Sequence, residues 1–210
     1  PFGGSLFNGT FTNTEQQGGY TFRVVANDTV SQVNNTVTTN ATLSVACGQN
    51  VTRNINLSAD ITLGPGPHCL RILRNETTID CAGFTIRGNG STVVGTDATV
   101  GINLTGGATN PGKIRGTVVK NCIITNFTYG ILLGLFDGTS SGSNDASISG
   151  GGINFTKIPI IIGQNSTNNT LSNLTFASNV GGVRIQNTSN ILNFTQLPAF
   201  SVFEQSSTAL

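Results

Sequence analysis

Nine carboxylates, one imidazole and ten cationic side chains are all that this 210-residue chain offers for acid–base or electrostatic chemistry. The acids are Glu15, Asp28, Asp60, Glu76, Asp80, Asp97, Asp137, Asp145 and Glu204, scattered over separate places in the chain. Glycoside hydrolysis needs a pair of carboxylates about 5 to 10 Å apart, and this spacing gathers none. His68 stands in GPGPHC, between Gly-Pro turns and a cysteine, and reads as a structural loop residue. Arg71 and Arg74, just ahead of Glu76, either form a solvated strand face or bind an acidic sugar. The sequence contains no phosphate-cradling glycine loop, serine elbow or metal-ligand cluster. No catalytic, metal-binding or cofactor-binding residue is therefore assigned, no cofactor is expected, and the chain reads as non-enzymatic.

Asparagine carries the stronger chemical signal. The acceptor pattern Asn-x-Ser/Thr occurs at Asn8, Asn27, Asn34, Asn40, Asn50, Asn56, Asn75, Asn89, Asn103, Asn126, Asn154, Asn165, Asn168, Asn173, Asn187 and Asn193. That is 16 of 25 asparagines, where chance placement against this Ser and Thr content gives about six. The excess predicts an N-glycosylated extracellular protein. Charged residues make up only 9% of the chain against a usual ~25%, so a sugar coat would supply the missing hydrophilicity. Asn has a second use, because it tolerates left-handed backbone at corners and bonds nearby peptide groups. Asn121, Asn173 and Asn193, which stand beside Cys122, Leu174 and Phe194, are expected to stack as a buried amide ladder. Asn173 and Asn193 would then lack sugar despite their acceptor patterns.

The elements that position these residues repeat. One series of short apolar segments runs Thr77 to Ile86, Val118 to Ile124, Ala146 to Phe155, Thr170 to Phe176 and Asn190 to Thr195. A second, interleaved series runs Cys69 to Leu73, Gly101 to Leu104, Tyr129 to Leu133, Ile158 to Ile162, Gly182 to Gln186 and Phe200 to Phe203. Two series in constant order, spaced by roughly 20 to 30 residues, are the mark of a solenoid. The predicted class is all-β: a short right-handed parallel β-helix of about six coils over 47–210, about 29 Å long at one strand per coil. Matching Ile79, Val119, Ile148, Leu171 and Ile191 sets the register, with Gly-, Pro- and Ser-rich insertions at 88–100, 105–115 and 137–144 as corners. In that register Asp80 meets Lys120 as an outward ion pair. Alternation sends Ile131, Leu133, Ile160 and Ile162 inward. Leu132 and Ile161 then point outward on adjacent coils, either as a contact surface or beneath a local loop.

Four cysteines without CxxC spacing argue against zinc or thioredoxin-like chemistry. An even count in a secreted chain reads as disulfides. Three pairings are possible; Cys81 and Cys122 occupy comparable places in successive coils, which leaves Cys47 with Cys69. By chain entropy these bridges would contribute about 4 and about 3.5 kcal/mol.

Residues 1–46 follow a different period. Tyr20, Phe22 and Val24 alternate with polar residues, as do Val37, Thr39, Ala41, Leu43 and Val45, which indicates half-buried antiparallel strands. The run GGYTFRVVAND, the strand ending TLSV, and SLFNGTFTNT before them resemble the last strands of prokaryotic immunoglobulin-like domains. That resemblance implies a partial antiparallel sandwich at 1–46 ahead of the β-helix. Half a sandwich leaves edges open, to be completed by upstream chain, by a neighbouring subunit, or by packing against the coils.

From Cys47 the chain resembles the NosD-like, pectin-lyase-fold repeat proteins of archaeal and bacterial surfaces. The resemblance rests on CGQNVTRNINLSADITL, PGPHCLRILRNETTIDCAGFTIRGNG, VGINLTG and VVKNCIITNFTYGILL. It implies a parallel β-helix used as a structural surface protein, an adhesin, a carbohydrate-binding protein or a polysaccharide-cleaving enzyme, and the fold alone does not choose among them.

A net charge of +1 gives no basic face for nucleic acid, and no apolar run reaches the ~20 residues of a membrane span. The opening Pro1 and the absence of Met suggest a processed or partial product. The expected function is that of an extracellular structural glycoprotein, archaeal in character, forming a filament, sheath or surface layer. Its partners would be copies of itself or other cell-surface proteins, with covalent N-glycans. The alternatives are an adhesin or carbohydrate-binding module, and a polysaccharide lyase or hydrolase.

Overall fold

The computed structural model describes residues 18–27, 33–90, 98–105, 113–134, 142–163, 165–186, 191–193 and 204–205, with backbone alone for 18–27, 33–43, 191–193 and 204–205. All regular structure among them is β, with no helix. The antiparallel pair is β1 (Gly18–Asn27) with β2 (Val33–Leu43), running from Gly18 opposite Leu43 to Asn27 opposite Val33, with a register shift between Val24 and Ala26. The alternating residues at 20–24 and 37–43 sit in this two-stranded sheet.

Every other pairing is parallel. A seven-stranded sheet contains β3 (Gln49–Val51), β6 (His68–Ile72), β9 (Val100–Asn103), β12 (Tyr129–Leu132), β15 (Ile158–Ile162), β18 (Arg184–Ile185) and β20 (Glu204–Gln205), in that order. A nine-stranded sheet holds β4 (Ile55–Asn56), β7 (Thr78–Asp80), β11 (Val118–Thr125), β14 (Ser147–Asn154), β16 (Thr170–Ser172) and β19 (Ile191–Asn193) in sequence order. Beside them lie β5 (Ile61–Thr62) and β8 (Thr85–Arg87), which leads onto β11, and β17 (Thr175–Ala177), which pairs β14. A third, small sheet pairs β10 (Ile114–Arg115) with β13 (Ser143–Asn144). The chain therefore visits the two large sheets alternately, and each visit adds a strand beside the previous one.

The core lies between those sheets. Ile79, Val119, Ile148 and Leu171 are paired in register and no more than 1% exposed, and they face the column Leu70, Ile102, Ile131 and Ile160 in one apolar cluster. Burying each such aliphatic side chain stabilises by about 1.5 to 3 kcal/mol. The expected register slips at its last step, where Leu192 rather than Ile191 opposes Leu171.

Corners are set by backbone, and their residues stack as the strands do. Glu76, Gly116, Asp145 and Asn168 have φ of 56°, 64°, 55° and 56°, and the Glu76, Gly116 and Asp145 amides donate to the carbonyls of Arg115, Asn144 and Thr167 on the next coil. Asn121, Gly150 and Asn173 (57°, 65°, 52°) form a second such column, and Asn126, Phe155 and Ser178 (62°, 52°, 54°) a third. Left-handed backbone reverses the chain within one residue, and Gly and Asn adopt it at least cost. Of the ten non-glycine residues described at positive φ, five are Asn.

Candidate functional site

Disulfides tie the first coils. Cys47 is joined to Cys69 and Cys81 to Cys122; Cys69, Cys81 and Cys122 are buried, with Cys47 packed against the core. The Gly48 amide donates to the Cys69 carbonyl at 2.7 Å and the Cys81 amide to the Lys120 carbonyl at 3.0 Å, so each bridge spans neighbouring coils.

The buried ladder does not form. Asn121 and Asn173 are exposed at corners with Gly150 between them, and Asn193 opposes Ser172 rather than Asn173. A left-handed corner turns the side chain to solvent, which removes these amides from the interior. Instead, corner carboxamides and carboxylates bond the backbone of the adjacent coil. Asn54 Oδ1 accepts from the Thr78 amide, Asp60 Oδ1 from Thr85, Asn75 Oδ1 from Arg115 and Asn144 Oδ1 from Thr167, at 2.8 to 3.1 Å. Asn75 and Asn144 thereby extend the small β10–β13 sheet on both sides. Asn169 is fully buried, accepting from the Ala146 amide at 3.0 Å and donating to the Ser143 carbonyl at 2.8 Å. Asn179 does the same for Thr156 and Ile153. Asn169 and Asn179 were invisible to the acceptor-pattern reading; their signal is the 23-residue spacing to the backbone they serve.

The acceptor asparagines divide by burial. Asn50, Asn56, Asn75, Asn89, Asn165, Asn168 and Asn173 are exposed, and Asn103, Asn126 and Asn154 half-buried. Asn27, Asn34, Asn40 and Asn193 lie in strands described by backbone alone, and Asn8 and Asn187 lie outside the described residues.

Leu132 and Ile161 are adjacent in register but do not form an exposed face. They are 4% and 3% exposed, in a separate apolar cluster with Val100, Ile158 and Tyr129 on the other side of the seven-stranded sheet from the core. Alternation does not by itself fix exposure, which depends on what covers a face. The outward column they belong to continues to Asn103, Arg71 and Asn50 on one side and Arg184 on the other.

Polar side chains elsewhere form small groups. Lys120 Nζ lies 3.0 Å from Asp80 Oδ2, and Asp80 Oδ1 accepts from the Ala82 amide (2.9 Å) and Asn121 Nδ2 (3.2 Å). The Ala82 amide holds the Asp80 carboxyl below its usual range, and Lys120 and Asn121 add to this. His68 is not in a loop but opens β6, opposite Val100; burial lowers its pKa, and the nearby Arg71 charge lowers it further. Arg74 Nη1 donates to the Thr52 carbonyl at 3.3 Å. Among the described residues no three His, Cys, Asp or Glu side chains lie together as a metal site, and no helix is long and apolar enough to cross a membrane. At the first coil a cleft of about 310 Å³ is lined by Val45, Gln49, Asn50, Val51, Thr52, Arg53 and Ile55, beside β3, the edge strand of its sheet.

No family model, curated protein or solved structure matches this chain.

Proposed function

We propose that this chain is a structural glycoprotein of the cell exterior, a subunit of a filament, sheath or surface layer, wound as a short right-handed parallel β-helix after a partial immunoglobulin-like sandwich. Its role is non-enzymatic. The observation that carries the reading is the coil stack itself: parallel strands accumulate one per visit, and β3 and β4 stand at the end of the strand order among the described residues. A sheet edge presents backbone donors and acceptors that another strand completes. Right-handed winding follows from the preference of parallel crossovers for that hand. The two disulfides support an oxidising compartment, and seven exposed acceptor asparagines support a sugar coat. Partners are then copies of the same chain or other surface proteins.

Electron microscopy of native material tests this. Sugar density on asparagines of a repeating polymer is the expected result; bare, discrete monomers would sink it. A second reading, a carbohydrate-binding module, draws on the first-coil cleft, where Gln49, Asn50, Thr52 and Arg53 place polar groups beside Val45, Val51 and Ile55. Titration with surface oligosaccharides, read by calorimetry and repeated with Arg53→Ala, separates the two.

A further inference from the structure

Sugar transfer to an Asn-x-Ser/Thr site depends on two groups, the Asn amide and the hydroxyl two residues on. At three sites the structure hides the second group. Thr77, behind Asn75, is 1% exposed, and its Oγ1 donates to the Arg74 carbonyl at 2.9 Å. Thr128, behind Asn126, is 0% exposed and interlocks with Thr99: each backbone amide donates to the other's Oγ1, at 3.1 and 3.2 Å. Thr156, behind Asn154, is 1% exposed, and its Oγ1 donates to Asn179 Oδ1 at 2.8 Å.

The acceptor amides themselves are not hidden. Asn75 is exposed, and Asn126 and Asn154 are half-buried. Asn75 and Asn154 each place Oδ1 on backbone of the next coil, accepting from the Arg115 and Ala177 amides, both at 3.0 Å. An N-linked side chain keeps that oxygen, so a sugar on Nδ2 leaves the inter-coil bond in place. At Asn75 and Asn154 the inter-coil bond is thus compatible with the product, while at all three sites half of what the transferase must read is concealed. Asn50 and Asn56 differ, since Thr52 and Ser58 are exposed along with their asparagines.

We propose that Asn75, Asn126 and Asn154 are glycosylated only before their coils close, whereas Asn50 and Asn56 remain acceptors on the folded chain. The proposal rests on the glycoprotein reading above. In the transfer, Asn Nδ2 attacks the anomeric carbon of a lipid-linked sugar phosphate. The new C–N bond forms as the anomeric C–O bond breaks, the lipid phosphate leaves with the bonding pair, and the amide loses one proton to the transferase's base.

The test uses the full chain made without sugar, in a folded, oxidised form and in two open forms. One open form is reduced and S-alkylated; the other carries Ile148→Asp in the core, in case the alkylated chain refolds. All three are incubated with an oligosaccharyltransferase and a lipid-linked oligosaccharide, and occupancy is read by peptide mass spectrometry. Occupancy at Asn75, Asn126 and Asn154 should be roughly tenfold or more lower in the folded form, because local opening must precede transfer. Occupancy at Asn50 and Asn56 should change little. Equal occupancy of the three sites in folded and open forms would overturn the proposal while leaving the glycoprotein reading intact. Native protein without sugar on any asparagine would overturn both.

Discussion

At the scale of single residues, the buried polar groups separate into those that are answered and those that are not. Asn169 satisfies the Ala146 amide and the Ser143 carbonyl from a fully buried position. Asn169→Leu should destabilise by about 2 to 4 kcal/mol in a denaturant titration, since it strands buried backbone groups. Thr117 is also 0% exposed, but its Oγ1 has no hydrogen-bond partner. Thr117→Val should therefore be neutral or stabilising by about 1 kcal/mol, and a loss comparable to that of Asn169→Leu would contradict this account. Phe155 is a different matter, an apolar residue 62% exposed on a backbone at φ 52°, which costs a bulky residue about 1 to 2 kcal/mol. Acid should weaken the fold through two groups. The unfolded chain protonates more readily than folded His68, so its contribution is full above about pH 6.5 and is lost as the pH falls below that value. The Asp80 carboxyl is likewise depressed, so its contribution is present above the ordinary carboxylate range and disappears as the pH falls through the folded value. In stability measured against pH, His68→Gln should remove the upper slope and Asp80→Asn the lower one.

At the scale of elements, close stacking fixes where side chains are forbidden. Gly130 in β12 lies against the next coil so closely that an added Cβ would stand 2.4 Å from the Pro159 carbonyl oxygen and 2.6 Å from Ile153 Cγ2. Backbone cannot give way there without shifting the seven-stranded sheet. Gly130→Ala should cost about 2 to 3 kcal/mol, and a change within a few tenths of zero would show the spacing to be looser than the structure has it. The sequence made most strands legible, because Ile79, Val119, Ile148 and Leu171 repeat at the same point of each apolar segment and pair accordingly. The corners were harder to read. Asn126, Asn168 and Asn173 sit at left-handed φ, each followed by a buried residue and then a Thr, so a corner and a glycosylation pattern look alike in sequence. The amide ladder was expected because Asn121, Asn173 and Asn193 occupy one place in the repeat; Asn121 and Asn173 do share a corner column, but exposed and with Gly150 between them. Its last member failed with the register slip that puts Leu192, and hence Asn193, one place off. For Leu132 and Ile161 the pattern left exposure open, because periodicity reports which side of a sheet a residue occupies and says nothing of what lies over it.

At the scale of the whole molecule, the question is what keeps so uncharged a surface apart from its neighbours. Net charge is +1 and only 9% of residues are charged, so electrostatic repulsion between copies is weak, a condition that favours association. The Asp80–Lys120 ion pair contributes little to the fold either, since its side chains are 23% and 42% exposed and such pairs are worth about 0 to 1 kcal/mol. Two consequences follow, and they are separable. Unfolding should respond weakly to ionic strength from roughly 0.05 to 1 M, because screening acts on charges that contribute little. Colloidal behaviour should instead depend on sugar. Under the glycoprotein proposal, enzymatic removal of N-glycans should raise light scattering at unchanged salt while leaving strand content by circular dichroism as it was, since the Asn75 and Asn154 inter-coil bonds use Oδ1 and not the nitrogen that would carry sugar. Aggregation accompanied by loss of strand content would mean that sugar supports the coils themselves. A sugar-free protein that stayed dispersed would show that the polar Asn, Ser and Thr surface is sufficient, and low charge would then give no reason for a sugar coat.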